Sequence, residues 1–176
     1  MKKIFVTLLM LLSMTTNCFA MTVQYTPLVV PNVNSSFKTY MDYRAVTNKA
    51  SAQYKLLHTW ALSDGNGFMR VAGERELGIS EDYYCVALGA FYGTTMGTKY
   101  RFTTSTDNIF YGILSDGKGR PEVNSTQQYG MANKDVVEFL VYSPMLLPVV
   151  KKLGNAGAYQ PLNGRIIKIE RIDFVN

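Results

Sequence analysis

The sequence predicts an all-β domain with minor α content, closed into a barrel. Three observations lead there: eight short strand-like runs, Gly/Asp/Asn turn sequences between them, and only one stretch that reads as a helix. Eight short strands in one domain favour a barrel over an open sheet with exposed edges.

The elements follow in order. Residues 1–20 read as a secretory signal peptide: Lys2 and Lys3 form a basic start, and Ile4 to Leu12 an apolar run too short to span a bilayer. Cys18 and Ala20 supply small residues for cleavage after Ala20. Cys18 also raises a lipid anchor, but Thr15-Thr16-Asn17 before it lacks the pattern that lipidation uses. Residues 21–36 are expected to be an extended N-terminal segment, and 37–176 the folded domain. Strands are expected at 37–46, 54–62, 68–74, 83–89, 99–104, 109–114, 136–142 and 165–172. Asp64-Gly65-Asn66-Gly67 suits a tight reversal because its residues tolerate positive φ. Leu62-Ser63-Asp64-Gly65 recurs as Leu114-Ser115-Asp116-Gly117, an echo that would suit two related halves. Pro144 to Lys152 reads as the short helix, with Ser143 before it, Lys151 and Lys152 in its last turn and Gly154 after it.

Composition narrows the function classes. Cleavage leaves about 156 of the 176 residues, enough for one domain, and lowers the formal charge from +5 to about +3. That dispersed excess suits attraction to an anionic wall. It provides no phosphate track, so no nucleic-acid partner is expected. No later segment is apolar enough for an integral membrane span, and a monomer is expected. Beyond residue 20 only Cys85 remains, so an internal disulfide is excluded. Cys85 lies in an apolar run and reads as a buried thiol. One histidine, one cysteine and scattered acids give no metal-ligand spacing, and no cofactor motif is present.

Val86-Ala87-Leu88-Gly89, Gly97-Thr98-Lys99-Tyr100-Arg101-Phe102, Tyr111-Gly112-Ile113-Leu114-Ser115-Asp116 and Asp135-Val136-Val137-Glu138-Phe139 together resemble the double-psi β-barrel of 3D-domain, rare-lipoprotein-A-like and expansin-like proteins. Upstream, Phe37 to Arg44 and Ala52 to Leu56 resemble secreted proteins of Gram-positive bacteria that share this barrel. The resemblance implies a six-stranded double-psi β-barrel with additional hairpin strands and one short helix. It implies a secreted, cell-wall-associated protein whose partner is peptidoglycan or another wall polysaccharide. In catalytic members, the position of Asp116 is that of the acid that protonates a glycosidic oxygen, as in a lytic transglycosylase.

The chemistry fits a single carboxyl. When the muramic acid 6-hydroxyl is the internal nucleophile, one Asp can protonate the leaving oxygen and then accept the hydroxyl proton. Such an acid needs partial burial to raise its pKa. The competing reading makes Asp116 a turn residue bonded to its own backbone. Asp42 and Tyr43 interrupt a strand and would orient a sugar, or Asp42 would pair with Arg44. Ser125 and Thr126 in the polar loop after Asp116 and the ring of Tyr92 complete the expected substrate-binding set. Aromatic rings here serve either a sugar groove or barrel packing. His58 and Trp60 are expected on one strand face. Two other functions stay open: a non-catalytic expansin-like polysaccharide-binding module, and a structural or interaction domain without a carbohydrate ligand.

Overall fold

A computed structural model describes residues 21–175; the signal-peptide reading falls outside them. The fold is mostly β-sheet with minor helix. In chain order it runs β1 (Thr22–Leu28), β2 (Tyr40–Asp42), α1 (Ala52–Lys55), β3 (Leu62–Ser63), β4 (Met69–Val71), β5 (Tyr83–Leu88), β6 (Lys99–Thr104), β7 (Ile109–Gly117), β8 (Val137–Val141), α2 (Pro148–Leu153) and β9 (Ile166–Val175). The sheet order is β1-β9-β6-β7-β5-β4-β3, with β8 also on β5 and β2 on β8. The path ends at β1 and β3, so the sheet is not closed into the expected barrel. Two pairings are parallel, β5 with β7 and β2 with β8.

β5 organises the molecule. Its first half pairs with β4 and its second half with β8 along the same edge, while β7 holds the other edge. All six of its residues are buried, which requires cover on both faces. Tyr84, Val86 and Leu88 join a core with Phe102, Phe110, Leu114 and Phe139. Tyr83, Cys85 and Ala87 join a second core with Leu56, Leu57, Ile79 and Leu140. Burial raises the Cys85 thiol to about 12, in keeping with an inert packing role.

The structure corrects several local expectations. Residues 54–62 are not a strand: Ser51 Oγ accepts the Tyr54 N–H (3.1 Å) and caps α1, which continues into a π-helical turn over Leu56–Trp60. Leu56 and Leu57 explain the choice. A strand would send these neighbours to opposite faces, whereas the helical turn buries both. His58 and Trp60 therefore share no strand face; His58 instead stacks on Tyr54, with centroids 3.9 Å apart. The long strand expected over 37–46 shrinks to β2, because Asp42 caps a 3-10 turn at Tyr43–Ala45. The expected helix splits into a 3-10 turn at Ser143–Met145 and α2, which Gly154 ends in the left-handed region (φ 59°). Residues 22–28, within the expected extended segment, pair along β9 as an edge strand.

Candidate active site

The site forms where β7, β5 and β8 lie side by side. β5 and β7 run in plain register from Tyr84/Gly112 to Val86/Leu114, and then one extra residue, Ser115, bulges out of the ladder. Asp116 thereby lies opposite Ala87. Without the bulge Ser115 would hold that position and Asp116 would turn to the other face. On the other side of β5, Glu138 also lies opposite Ala87. Asp116, Ala87 and Glu138 thus form one row across three strands, all on the face that carries Cys85 and Leu140. Two strand spacings put their Cα atoms roughly 10 Å apart. Thr39, just before β2, extends the row: its carbonyl accepts the Phe139 N–H at 2.9 Å.

Both carboxyl groups of the row are half-buried, and burial raises the pKa of each. Burial raises Asp116 above the ordinary Asp range, against a single opposing hydrogen bond from the Gly117 N–H to its Oδ1 (2.8 Å). Burial likewise raises Glu138; Lys118 opposes this, while Asp135, Glu122 and Asp116 reinforce it. Beside Glu138 is a cavity of about 250 Å³ bordered by Thr39, Lys118, Glu122, Gly130 and Asp135. Its floor is an ion pair between Lys118 and Asp135, whose side chains are 4% and 5% exposed. Thr39 donates its hydroxyl to Asp135 Oδ2 (2.5 Å), which satisfies the carboxylate further.

The loop after Asp116 is a built hairpin. Asn124 Oδ1 accepts the N–H groups of Gln128 (2.7 Å) and Tyr129 (3.2 Å), and Val123 bridges to Gly130. Glu122 accepts the Met131 N–H through its carbonyl (2.8 Å), which brings the returning arm back beside the cavity. The hairpin packs against the end of β5 at Gly89, where a Cβ would overlap the Gln127 carbonyl.

The expected site residues are dispersed by the fold. Ser125 and Thr126 are exposed at the hairpin tip, where Thr126 bonds Gln128 (2.8 Å); no hydrogen bond links either to Asp116. Asp42 pairs with Arg44 through two hydrogen bonds (2.8 and 2.9 Å) and accepts the Ser143 N–H, and the Arg44 pairing holds its carboxyl well below the usual range. Tyr43 lies at the far end of β2, against His58 (centroids 4.9 Å) and Tyr142 (6.1 Å). Tyr92 is buried and donates its hydroxyl to the Val29 carbonyl (3.3 Å), so its ring packs the core. Of the expected set, only Asp116 reaches the carboxyl row. Its true neighbour, Glu138, was signalled in the sequence as the one charge inside the apolar run Val136 to Val141.

The turn echo does not unite two equivalent sites. Asp64 Oδ1 accepts the N–H groups of Asn66 and Phe68 (both 2.9 Å) and caps a tight turn, whereas Asp116 is still within β7. Among the described residues no group of three or more His, Cys, Asp or Glu is arranged to hold a metal ion, and no helix is long and apolar enough to cross a membrane. The chain matches no family model, no curated protein and no solved structure.

Proposed function

We propose that this chain is an exported double-psi-barrel-type protein that cleaves cell-wall glycan, with Asp116 and Glu138 as its acid and base. The observation that carries the reading is the pair itself: two carboxyl groups raised by burial, flanking Ala87 on one sheet face. Burial shifts both groups toward the protonated form relative to exposed carboxyls, which suits one to donate a proton while the other accepts one. The acid protonates the glycosidic oxygen, and the carboxylate takes the proton of the attacking hydroxyl. That hydroxyl is the muramic acid 6-OH in a lytic transglycosylase, or a water molecule in a hydrolase.

Carboxyl separation distinguishes acid–base from covalent chemistry in glycosidases. Retaining glycosidases bring their carboxyls to about 5–5.5 Å, whereas inverting enzymes leave about 6.5–9.5 Å for a water. Cα atoms two strands apart, roughly 10 Å, are compatible with the wider arrangement. The two parallel pairings, β5/β7 and β2/β8, and the split edge of β5 support the double-psi reading, since such barrels use crossing rather than hairpin connections. An excess of lysine and arginine favours retention at an anionic wall.

The test is incubation of the chain from Met21 with purified peptidoglycan and mass spectrometry of the released muropeptides. The expected product is a 1,6-anhydromuropeptide, reduced by about 100-fold or more in folded Asp116→Asn and Glu138→Gln proteins. A reducing-end product would assign the same pair to hydrolysis. Absence of any product from the folded parent, or product undiminished in both variants, would overturn the enzyme reading. Wall co-sedimentation without product would then favour the binding module.

A further inference from the structure

A second groove lies at the opposite end of β5, centred on Trp60. Trp60 is the only tryptophan in the chain and is 70% exposed. It closes the π-helical turn whose Leu56 and Leu57 are sunk in the core, and the Ala61 N–H bonds the Leu56 carbonyl (3.1 Å) just beyond it. The indole is thus carried outward on an anchored backbone. Beside it is a cavity of about 350 Å³, bordered by Leu62, Asp64, Arg70, Glu81 and Asp82.

Arg70 is held rigidly in this wall. Its guanidinium lies 3.7 Å from the centroid of the Tyr84 ring, and its Nη2 donates to the Asp82 carbonyl (2.7 Å). Nη1 approaches Asp64 Oδ2 at 3.5 Å. The Nε–H, although buried, has no partner. Buried donors are nearly always paired, so this one is an uncompensated cost of seating the Arg70 side chain in the cavity wall. The charges around it largely cancel: Asp82 pairs with Arg75 (2.7 Å) and Asp64 with Arg70, leaving Glu81 exposed at the rim. Neither a strong anion nor a strong cation is favoured. A free aromatic face beside fixed donors and acceptors suits a neutral, hydroxyl-rich ring. Across Arg70 the surface continues into a further cavity of about 210 Å³ walled by Tyr84, Tyr111 and Tyr159.

We propose that the Trp60–Arg70 groove is a glycan-anchoring site that stacks a neutral N-acetylated sugar on the indole and hydrogen-bonds it through Arg70 and Glu81. The inference rests on the glycan reading of the chain but not on the carboxyl pair. Arg70 aligns with Tyr84, whereas Asp116 and Glu138 align with Ala87, three residues further along β5. The groove would hold a part of the polymer away from the reacting bond.

A single tryptophan makes the test direct. Titration with a tetramer of N-acetylglucosamine is expected to shift Trp60 emission to the blue and to reduce acrylamide quenching at least twofold. The Asp116→Asn protein should show the same response. Trp60→Ala should weaken co-sedimentation with peptidoglycan by about tenfold or more, and Trp60→Tyr should restore most of it. An emission spectrum unmoved by the sugar, or wall binding unaltered in Trp60→Ala, would overturn the proposal even if muropeptides are released. Loss of the signal in Asp116→Asn would overturn it too, by assigning the response to the carboxyl row. So would a blue shift produced by anionic vesicles or self-association and not by the sugar. A blue shift with the sugar but no cleavage product would uphold this groove while removing the enzyme reading.

Discussion

Removing one member of the Lys118–Asp135 pair should loosen the floor of the carboxyl site and destabilise the whole domain. Both side chains are almost fully buried, at 4% and 5% exposure, so neither charge has water to fall back on. Lys118→Met leaves the Asp135 carboxylate with the Thr39 hydroxyl as its one side-chain donor. An uncompensated buried charge of this kind costs about 3–5 kcal/mol. Asp135→Asn leaves Lys118 with the Asp135 backbone carbonyl (3.2 Å) and a neutral amide oxygen, so its cost should fall at or below the lower end of that range. For a domain of this size each kcal/mol lowers Tm by about 2–4 °C, which gives a drop of roughly 6–20 °C for Lys118→Met. Urea denaturation and calorimetry on the two single variants and on the Lys118→Met/Asp135→Asn double variant complete the cycle. The double variant should recover more than half of the loss, because no orphaned charge remains. A loss below about 1 kcal/mol in both single variants would show that the pair behaves as an exposed one and would refute the reasoning.

Asp116→Asn and Glu138→Gln should each stabilise the domain at neutral pH by up to about 1 kcal/mol while abolishing cleavage. The native state holds these protons to higher pH than the unfolded chain does, so parent stability falls as pH rises through their raised pKa values; the variants' advantage should shrink at pH 3. Lys38 has the opposite sign: burial lowers it to about 8, with only the Gly164 (2.6 Å) and Ser36 (3.4 Å) carbonyls as partners. The unfolded state then binds the extra proton between about pH 8 and 10.5, so its contribution to stability should rise by roughly 3 kcal/mol across that window, read as the difference from Lys38→Met. Gly89→Ala should push the hairpin off the end of β5, since the new Cβ would lie 2.7 Å from the Gln127 carbonyl carbon as well as overlapping its oxygen. A loss of about 1–3 kcal/mol and increased proteolysis near Gln127 are expected. Cys85 should resist thiol reagents in the native state and react only on unfolding, measured by labelling across a urea series.

Strands whose partners flank them in the sheet on alternating faces were legible from the sequence. β6 alternates without interruption, Tyr100, Phe102 and Thr104 inward and Lys99, Arg101 and Thr103 outward, and its pattern follows directly from burying one face. Residues 54–62 misled because Tyr54, Leu56, His58 and Trp60 also alternate, and the decisive signals were local ones: the Ser51 cap and the adjacent Leu56-Leu57 pair. The candidate site was only half legible. Asp116 stood out at the end of an apolar run, but its direction depends on a bulge at Ser115 that no residue type announces. Tyr92 and Tyr43 were legible as aromatics, yet whether a ring packs or faces a groove is decided by tertiary contacts far away in sequence. The Lys118–Asp135 pairing joins residues on β7's extension and β8's approach, a closure set by topology.

The position of the carboxyl row follows from the way β5 is covered. Its outer face needs apolar cover, and the turn of Leu56 and Leu57, with Ile79, belongs to the cluster that buries Tyr83, Cys85 and Ala87. At Ala87 the side chain shrinks to a methyl, and the neighbouring strands place Asp116 and Glu138 there instead of further apolar bulk. Small residues keep that end open: Gly89 admits the hairpin backbone, and a Cβ on Gly130 would overlap the Asp135 carboxylate. A domain selected for stability alone would continue the apolar face and would have no use for a bulge that turns an aspartate toward a glutamate. Local departures of this kind, which raise the free energy of the fold and gather on three adjacent strands, are where function is expected to reside. The Trp60 groove departs in the other direction, leaving a large apolar ring 70% exposed. The two departures lie at different ends of the same strand and in rows that face opposite sides of the sheet, Arg70 in the row of Tyr84 and the carboxyl pair in the row of Ala87, so the two sites can be tested independently of each other.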